Sequence, residues 1–168
     1  MTVRITSVAK ALPQYSRPTK DILPYVDLWM SGQEERFQRK VRKIFENAAV
    51  DQRYSLKDAE EVFINTSFEE KNDIYVREGI KLAEQALRTV LAKANLVAQD
   101  IDYIITVTCT GIMIPSLDAY LINNLEMKQD IVRLPVTEMG CAAGVSGLIY
   151  AKNFLKANPN KRAVVIAL

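Results

Sequence analysis

Residues 137–155, TEMGCAAGVSGLIYAKNFL, carry no charged side chain between Glu138 and Lys152 and include Ala142, Ala143, Gly144 and Gly147 in their first turns. That pattern predicts a helix apolar on nearly all sides and buried at the centre of a domain. Three runs read as strands: 101–107 (IDYIITV), 131–136 and 162–168 (RAVVIAL). The first is near-continuously apolar, as a strand covered on both faces should be. The longest helical signal spans 67–94, with Val76, Ile80, Ala83, Leu87, Val90 and Ala94 in a stripe at helical period. Shorter helices are predicted over 18–29 (Ile22, Val26, Trp29), 33–48 (Phe37, Val41, Ile44, Phe45, Ala48) and 116–125, where Ser116 can cap and Leu117, Leu121 and Leu125 face inward. Residues 3–12 suggest a first strand ending at Pro13, 50–54 a short extended piece, and Asn158-Pro159-Asn160 a turn into the last strand. Strands alternating with helices predict an α/β fold, a mostly parallel sheet with helices on both faces.

Composition narrows the function classes. Lys plus Arg is 22 and Asp plus Glu 20, a net charge of +2, so no global basic field calls for nucleic acid. Cys109 and Cys141 form no CxxC pair and the chain has no histidine, which removes zinc and thioredoxin-like readings. No metal is expected. No run approaches a membrane span or a signal peptide, so a reducing, cytoplasmic setting is expected. Asn65-Thr66-Ser67 is formally a glycosylation sequon, read as chance in that setting. The 162–168 strand pattern has no turn or cap after it, and the expectation is a piece of a longer protein.

Candidate chemistry centres on Cys141. A cysteine in the first turn of a helix meets unpaired N–H groups and the positive end of the dipole, which favour its thiolate. The dipole contributes roughly 0.3–1 kcal/mol, up to ~2 when partly buried, about one pKa unit on a thiol near ~8.5. A strongly activated nucleophile needs a basic partner as well, and this chain offers no imidazole. The alternative is a small buried hydrophobe. In an open α/β sheet ligands approach the carboxyl ends of strands, here the loops at 108–115 and 137–141. Cys109 reads as a wall residue. Ile112, Met113 and Ile114 either fill a cavity wall or meet a partner chain. On the 33–48 helix, Arg36, Arg39, Lys40, Arg42 and Lys43 form a basic surface that could hold phosphates or could simply be solvated.

Several motifs together resemble the N-terminal half of a type III polyketide synthase, the chalcone-synthase-like branch of the thiolase superfamily, in its bacterial alkylpyrone or alkylresorcinol flavour. They are Asn72-Asp73-Ile74-Tyr75-Val76-Arg77, Cys109-Thr110-Gly111 through Pro115-Ser116-Leu117-Asp118, Val132-Arg133-Leu134-Pro135 and Gly140-Cys141-Ala142-Ala143-Gly144. The resemblance implies a thiolase-like fold over residues 1–168 (a chalcone/stilbene synthase N-terminal domain), with the C-terminal half absent. It implies that Cys141 takes a starter acyl group from coenzyme A and that malonyl-CoA extends it by decarboxylative condensation. Acyl-CoA and malonyl-CoA would be substrates, with no resident cofactor. Lys40 and Lys43 match positions that hold coenzyme A phosphates; Lys43 stands where many relatives have arginine. Cys109 and Thr110 match cavity-lining positions. Ile114 matches a residue that reaches into the partner's active site, implying a homodimer and a candidate cis Ile114-Pro115 bond. The family's catalytic histidine and asparagine and its gatekeeping phenylalanine belong to the second half, so none is assigned and the fragment alone is expected to be inactive. Alternatives are a β-ketoacyl-carrier-protein synthase III, a hydroxymethylglutaryl-CoA synthase, or an inactive domain that only folds or dimerises.

Overall fold

The computed structural model describes residues 2–64 and 66–168, and the sequon at Asn65 lies outside them. The described chain forms two compact units, Leu12–Ser67 and residues 2–11 with 68–168. In the smaller unit β1 (Tyr15–Pro18) is followed by α1 (Thr19–Trp29), α2 (Glu35–Asn47), β2 (Gln52–Ser55) and α3 (Ala59–Val62), and β1 pairs antiparallel with β2. Both longer helices fall where the hydrophobic spacing puts them. Their burial differs from the pattern: Val26 and Met30 are buried, whereas Trp29 is exposed and α2 buries no residue. Arg17 pairs with Asp58 at 2.5 Å, and the Asp58 carboxylate accepts the first N–H of α3.

The larger unit contains α4 (Phe68–Lys93), β3 (Tyr103–Val107), α5 (Leu117–Asn124), β4 (Val132–Val136), α6 (Ala143–Ala157) and β5 (Ala163–Ala167). The strands form a parallel sheet in the order β4-β3-β5. Every residue of central β3 is buried, as its apolar run requires. Alternation sorts its side chains. Ile104 joins Ala83, Leu87 and Leu91 of α4 and Leu117 and Leu121 of α5 on one face, while Tyr103, Ile105 and Val107 join Ala143 and Ala151 of α6 on the other. The α/β architecture with helices on both faces is therefore present.

Three expectations are corrected. Residues 2–14 form no strand; a strand needs a ladder partner, and the three-stranded sheet does not include them. The segment is instead held where Lys93 Nζ donates to the Val8 carbonyl at 3.3 Å. On α4 the buried line is Tyr75, Gly79, Ala83, Leu87 and Leu91, with Ile80 and Val90 flanking it half-buried. Small residues at the centre of that line let the helix lie close to what it covers. On α6, Ala143, Gly147 and Ala151 are buried at a spacing of one helical turn, but Val145, Leu148, Ile149 and Tyr150 on its other side are exposed. The helix is buried along one stripe rather than all round. Its approach to the sheet is close: a Cβ on Gly147 would lie 3.0 Å from Val165 Cγ1 and 3.3 Å from Val107 Cγ1.

The amino ends of the strands are tied by Asp102, whose carboxylate accepts from Lys128 Nζ (2.7 Å), Lys161 Nζ (2.9 Å) and the Arg162 N–H (2.9 Å). Its backbone N–H donates to the Arg162 carbonyl and its carbonyl accepts from Val132. Burial by itself would raise this carboxyl, but the donors from Lys128, Lys161 and Arg162 outweigh it and hold the group well below the ordinary carboxylate range.

Candidate active site

Val107 of β3 lies opposite Val136 of β4, and the Thr108 N–H donates to the Val136 carbonyl at 3.1 Å. The loops that follow these strands therefore start side by side at the carboxyl edge of the sheet. The first carries Cys109, Thr110 and Ile114, and the second leads into Cys141, so the structure brings these four residues to one edge of one unit. Both cysteines are free and exposed.

Cys141 sits in a tight 3₁₀ turn, Gly140–Ala142, immediately before α6, not in the first α-helical turn. Gly140 has φ +59°, and a Cβ there would meet nothing within 4 Å, so glycine supplies backbone freedom at this position rather than space. Glu138 adopts φ 64° without that freedom, a conformation costing about 1–2 kcal/mol for a residue with a Cβ. The loop into the cysteine is thus sharply bent. The amino end of α6 carries no side-chain cap.

The loop after β3 is fixed from two sides. Asp118, 0% exposed in the first turn of α5, accepts from Arg133 Nε at 2.5 Å and from Thr106 Oγ1 at 3.4 Å. One carboxylate thereby joins β3, β4 and the start of α5. Ser116 does not cap α5 through its side chain; its Oγ accepts from Arg133 Nη2 at 3.5 Å instead. On the other side, Asn72 bonds Ile112 and Tyr75 bonds Thr108. The Ile114–Pro115 peptide is cis, and the Ile114 side chain is 89% exposed.

Lys40 and Lys43 belong to the smaller unit, exposed on α2. The basic surface is thinner than the spacing suggests. Arg39 pairs with Glu35 at 3.2 Å, and Arg42 pairs with Glu46 at 3.1 Å and with Asp27. Among the described residues this leaves Arg36, Lys40 and Lys43 as the cations of α2 without an ion pair. Asn72, Tyr75, Asp118 and Arg133 stand in the motifs quoted above, yet sequence spacing gave them no role. The signal available for Asp118 was a carboxylate at an otherwise apolar helix start.

A parallel sheet layered between helices, with a cysteine heading one helix at the carboxyl edge, is an α/β arrangement that agrees with the thiolase-like fold the resemblance implies. Residues 15–168 match the family described as FAE1/Type III polyketide synthase-like protein, and the chain belongs to that family. It is 35% identical over 125 residues to the 1,3,6,8-tetrahydroxynaphthalene synthase of Streptomyces coelicolor, covering 74% of this chain and 33% of that relative. The crystal structure of that synthase superposes with a TM-score of 0.85 at 28% identity, over 97% of this chain and 47% of the other. The phloroglucinol synthase of Pseudomonas fluorescens is 30% identical over 127 residues, 76% of this chain and 36% of the relative. A structure of CsyB complexed with CoA-SH superposes with a TM-score of 0.83 at 25% identity, over 99% of this chain and 46% of that one. The chain thus spans less than half the length of each of these relatives.

Proposed function

We propose that this chain is the N-terminal half of a type III polyketide synthase that condenses a fatty acyl-CoA starter with malonyl-CoA through a thioester on Cys141. The observation that carries the reading is the placement of Cys141, at the head of α6 and at the sheet edge that also bears Cys109 and Thr110. In the first step the Cys141 thiolate attacks the acyl carbonyl carbon; an S–C bond forms, the bond to the coenzyme A sulfur breaks, and coenzyme A leaves as its thiolate, which takes a proton from water. Malonyl-CoA then loses CO₂, and the resulting enolate carbon attacks the Cys141 thioester. A C–C bond forms and the Cys141 thiolate departs.

Cys109 and Thr110 are assigned to the cavity wall and Lys40 and Lys43 to the coenzyme A phosphates. Their exposed position on α2 suits a ligand arriving from solvent. The imidazole and amide groups that activate the thiol and hold the enolate are assigned to the second half, since this chain has no histidine. Two features support a larger whole: the coverage of relatives and the bare apolar side of α6. Ile114, projecting from the loop, supports a homodimer in which it enters the partner's site. No helix among the described residues is long and apolar enough to cross a membrane, and we assign the protein to the cytoplasm.

The test is incubation of the full-length protein with long-chain acyl-CoA and labelled malonyl-CoA. Release of labelled pyrones or resorcinols is the expected result. A single condensation onto a carrier protein would overturn the reading in favour of a β-ketoacyl synthase.

A further inference from the structure

The loop that carries Cys109 and Thr110 is held by α4 through contacts that core packing does not require. The Asn72 side chain donates from Nδ2 to the Ile112 carbonyl at 3.0 Å and accepts the Ile112 N–H on Oδ1 at 2.8 Å. One amide thereby satisfies both backbone groups of a loop residue, as a neighbouring strand would. One turn along α4, the Tyr75 hydroxyl lies 2.8 Å from Thr108 Oγ1, which also accepts the Thr110 N–H at 3.4 Å. Between these anchors sits Gly111. A Cβ there would lie 2.4 Å from Tyr75 Cδ1 and 2.8 Å from Asn72 Oδ1, so only glycine lets the loop lie this close. Tyr75 is buried yet belongs to neither apolar cluster of the core; its ring faces the loop.

We propose that Asn72 and Tyr75 are positioning residues that clasp the 108–112 loop to α4 and hold Cys109 and Thr110 in a single presentation at the sheet edge. The inference rests on the reading of Cys109 and Thr110 as cavity wall and adds what fixes that wall. Residues 109 and 110 lie between anchors at 108 and 112, both on one rigid helix, so they keep little freedom of their own. A wall held this way selects acyl chains by its fixed shape.

The experiment compares wild-type, Asn72→Ala and Tyr75→Phe proteins by hydrogen exchange of peptides covering 108–112, by the ratio of Cys109 to Cys141 alkylation with iodoacetamide, and by unfolding midpoint. Asn72→Ala is expected to speed exchange at Ile112 about tenfold, the scale of two lost backbone anchors, and to change the alkylation ratio several-fold while α4 and β3 keep their protection. Tyr75→Phe, which keeps the ring and loses the hydroxyl, is expected to change the ratio in the same direction by less. Unchanged exchange and ratio in Asn72→Ala would overturn the proposal. So would equal loss of protection across all elements with a lowered midpoint, which would make the residue merely structural. Failure of the polyketide reading has a separate signature, wild-type protein that transfers no acyl group while both loop readouts still respond.

Discussion

Asp118 is fully buried and shared between Thr106 of β3 and Arg133 of β4, so removing the arginine strands a charge beside a single weak donor. Breaking a fully buried pair costs roughly 3–5 kcal/mol. The Arg133 side chain is 45% exposed and water can replace part of it, so Arg133→Ala is expected to lower stability by about 2 kcal/mol in chemical denaturation, a discounted share of that range. Asp118→Asn should cost less, since the amide still accepts from Thr106. Equal stability of Arg133→Ala and wild type would show that the pair holds nothing. At this scale the placement of Cys141 and Cys109 at the sheet edge was legible because their loops follow apolar strand runs. The Asp118 and Asn72 contacts were not, because each joins residues far apart in sequence whose meeting depends on the completed sheet.

Elements were legible where their periodicity was decided within one segment. The β3 run and the alternation of helices with strands gave the parallel sheet directly. The α4 stripe was right at its centre, Ala83 and Leu87, and one residue off at its ends, where hydrophobicity favours Ile80 and Val90 but the buried positions are Gly79 and Leu91. The 3–12 strand failed because pattern alone cannot supply a ladder partner. Asp102, joining the amino ends of β3, β4 and β5, makes a prediction here. Its folded-state pKa is depressed, so its stabilisation is present above the ordinary aspartate value near ~3.9 and is lost as pH falls below it toward the folded value. Acid titration of the thermal midpoint should therefore show a fall below about pH 4 that Asp102→Asn flattens. An identical fall in the variant would place the acid sensitivity elsewhere.

For the whole molecule, the sequence pattern described α6 as apolar all round, and the described residues bury it along one stripe only. Val145, Leu148, Ile149 and Tyr150 remain exposed, in a chain that spans less than half of its relatives. Under the proposed function, residues beyond these would complete the site. The family and the fold were readable from motifs in order; the starter acyl chain was not, since a cavity is shaped by side chains from several segments. The proposed function requires Cys141 to carry the acyl group. Peptide mass spectrometry of the full-length protein after incubation with a long-chain acyl-CoA tests it most directly. The acyl mass is expected on the peptide containing Cys141, lost in Cys141→Ala and kept in Cys109→Ala; an acyl group on Cys109, or none on Cys141, would contradict that role.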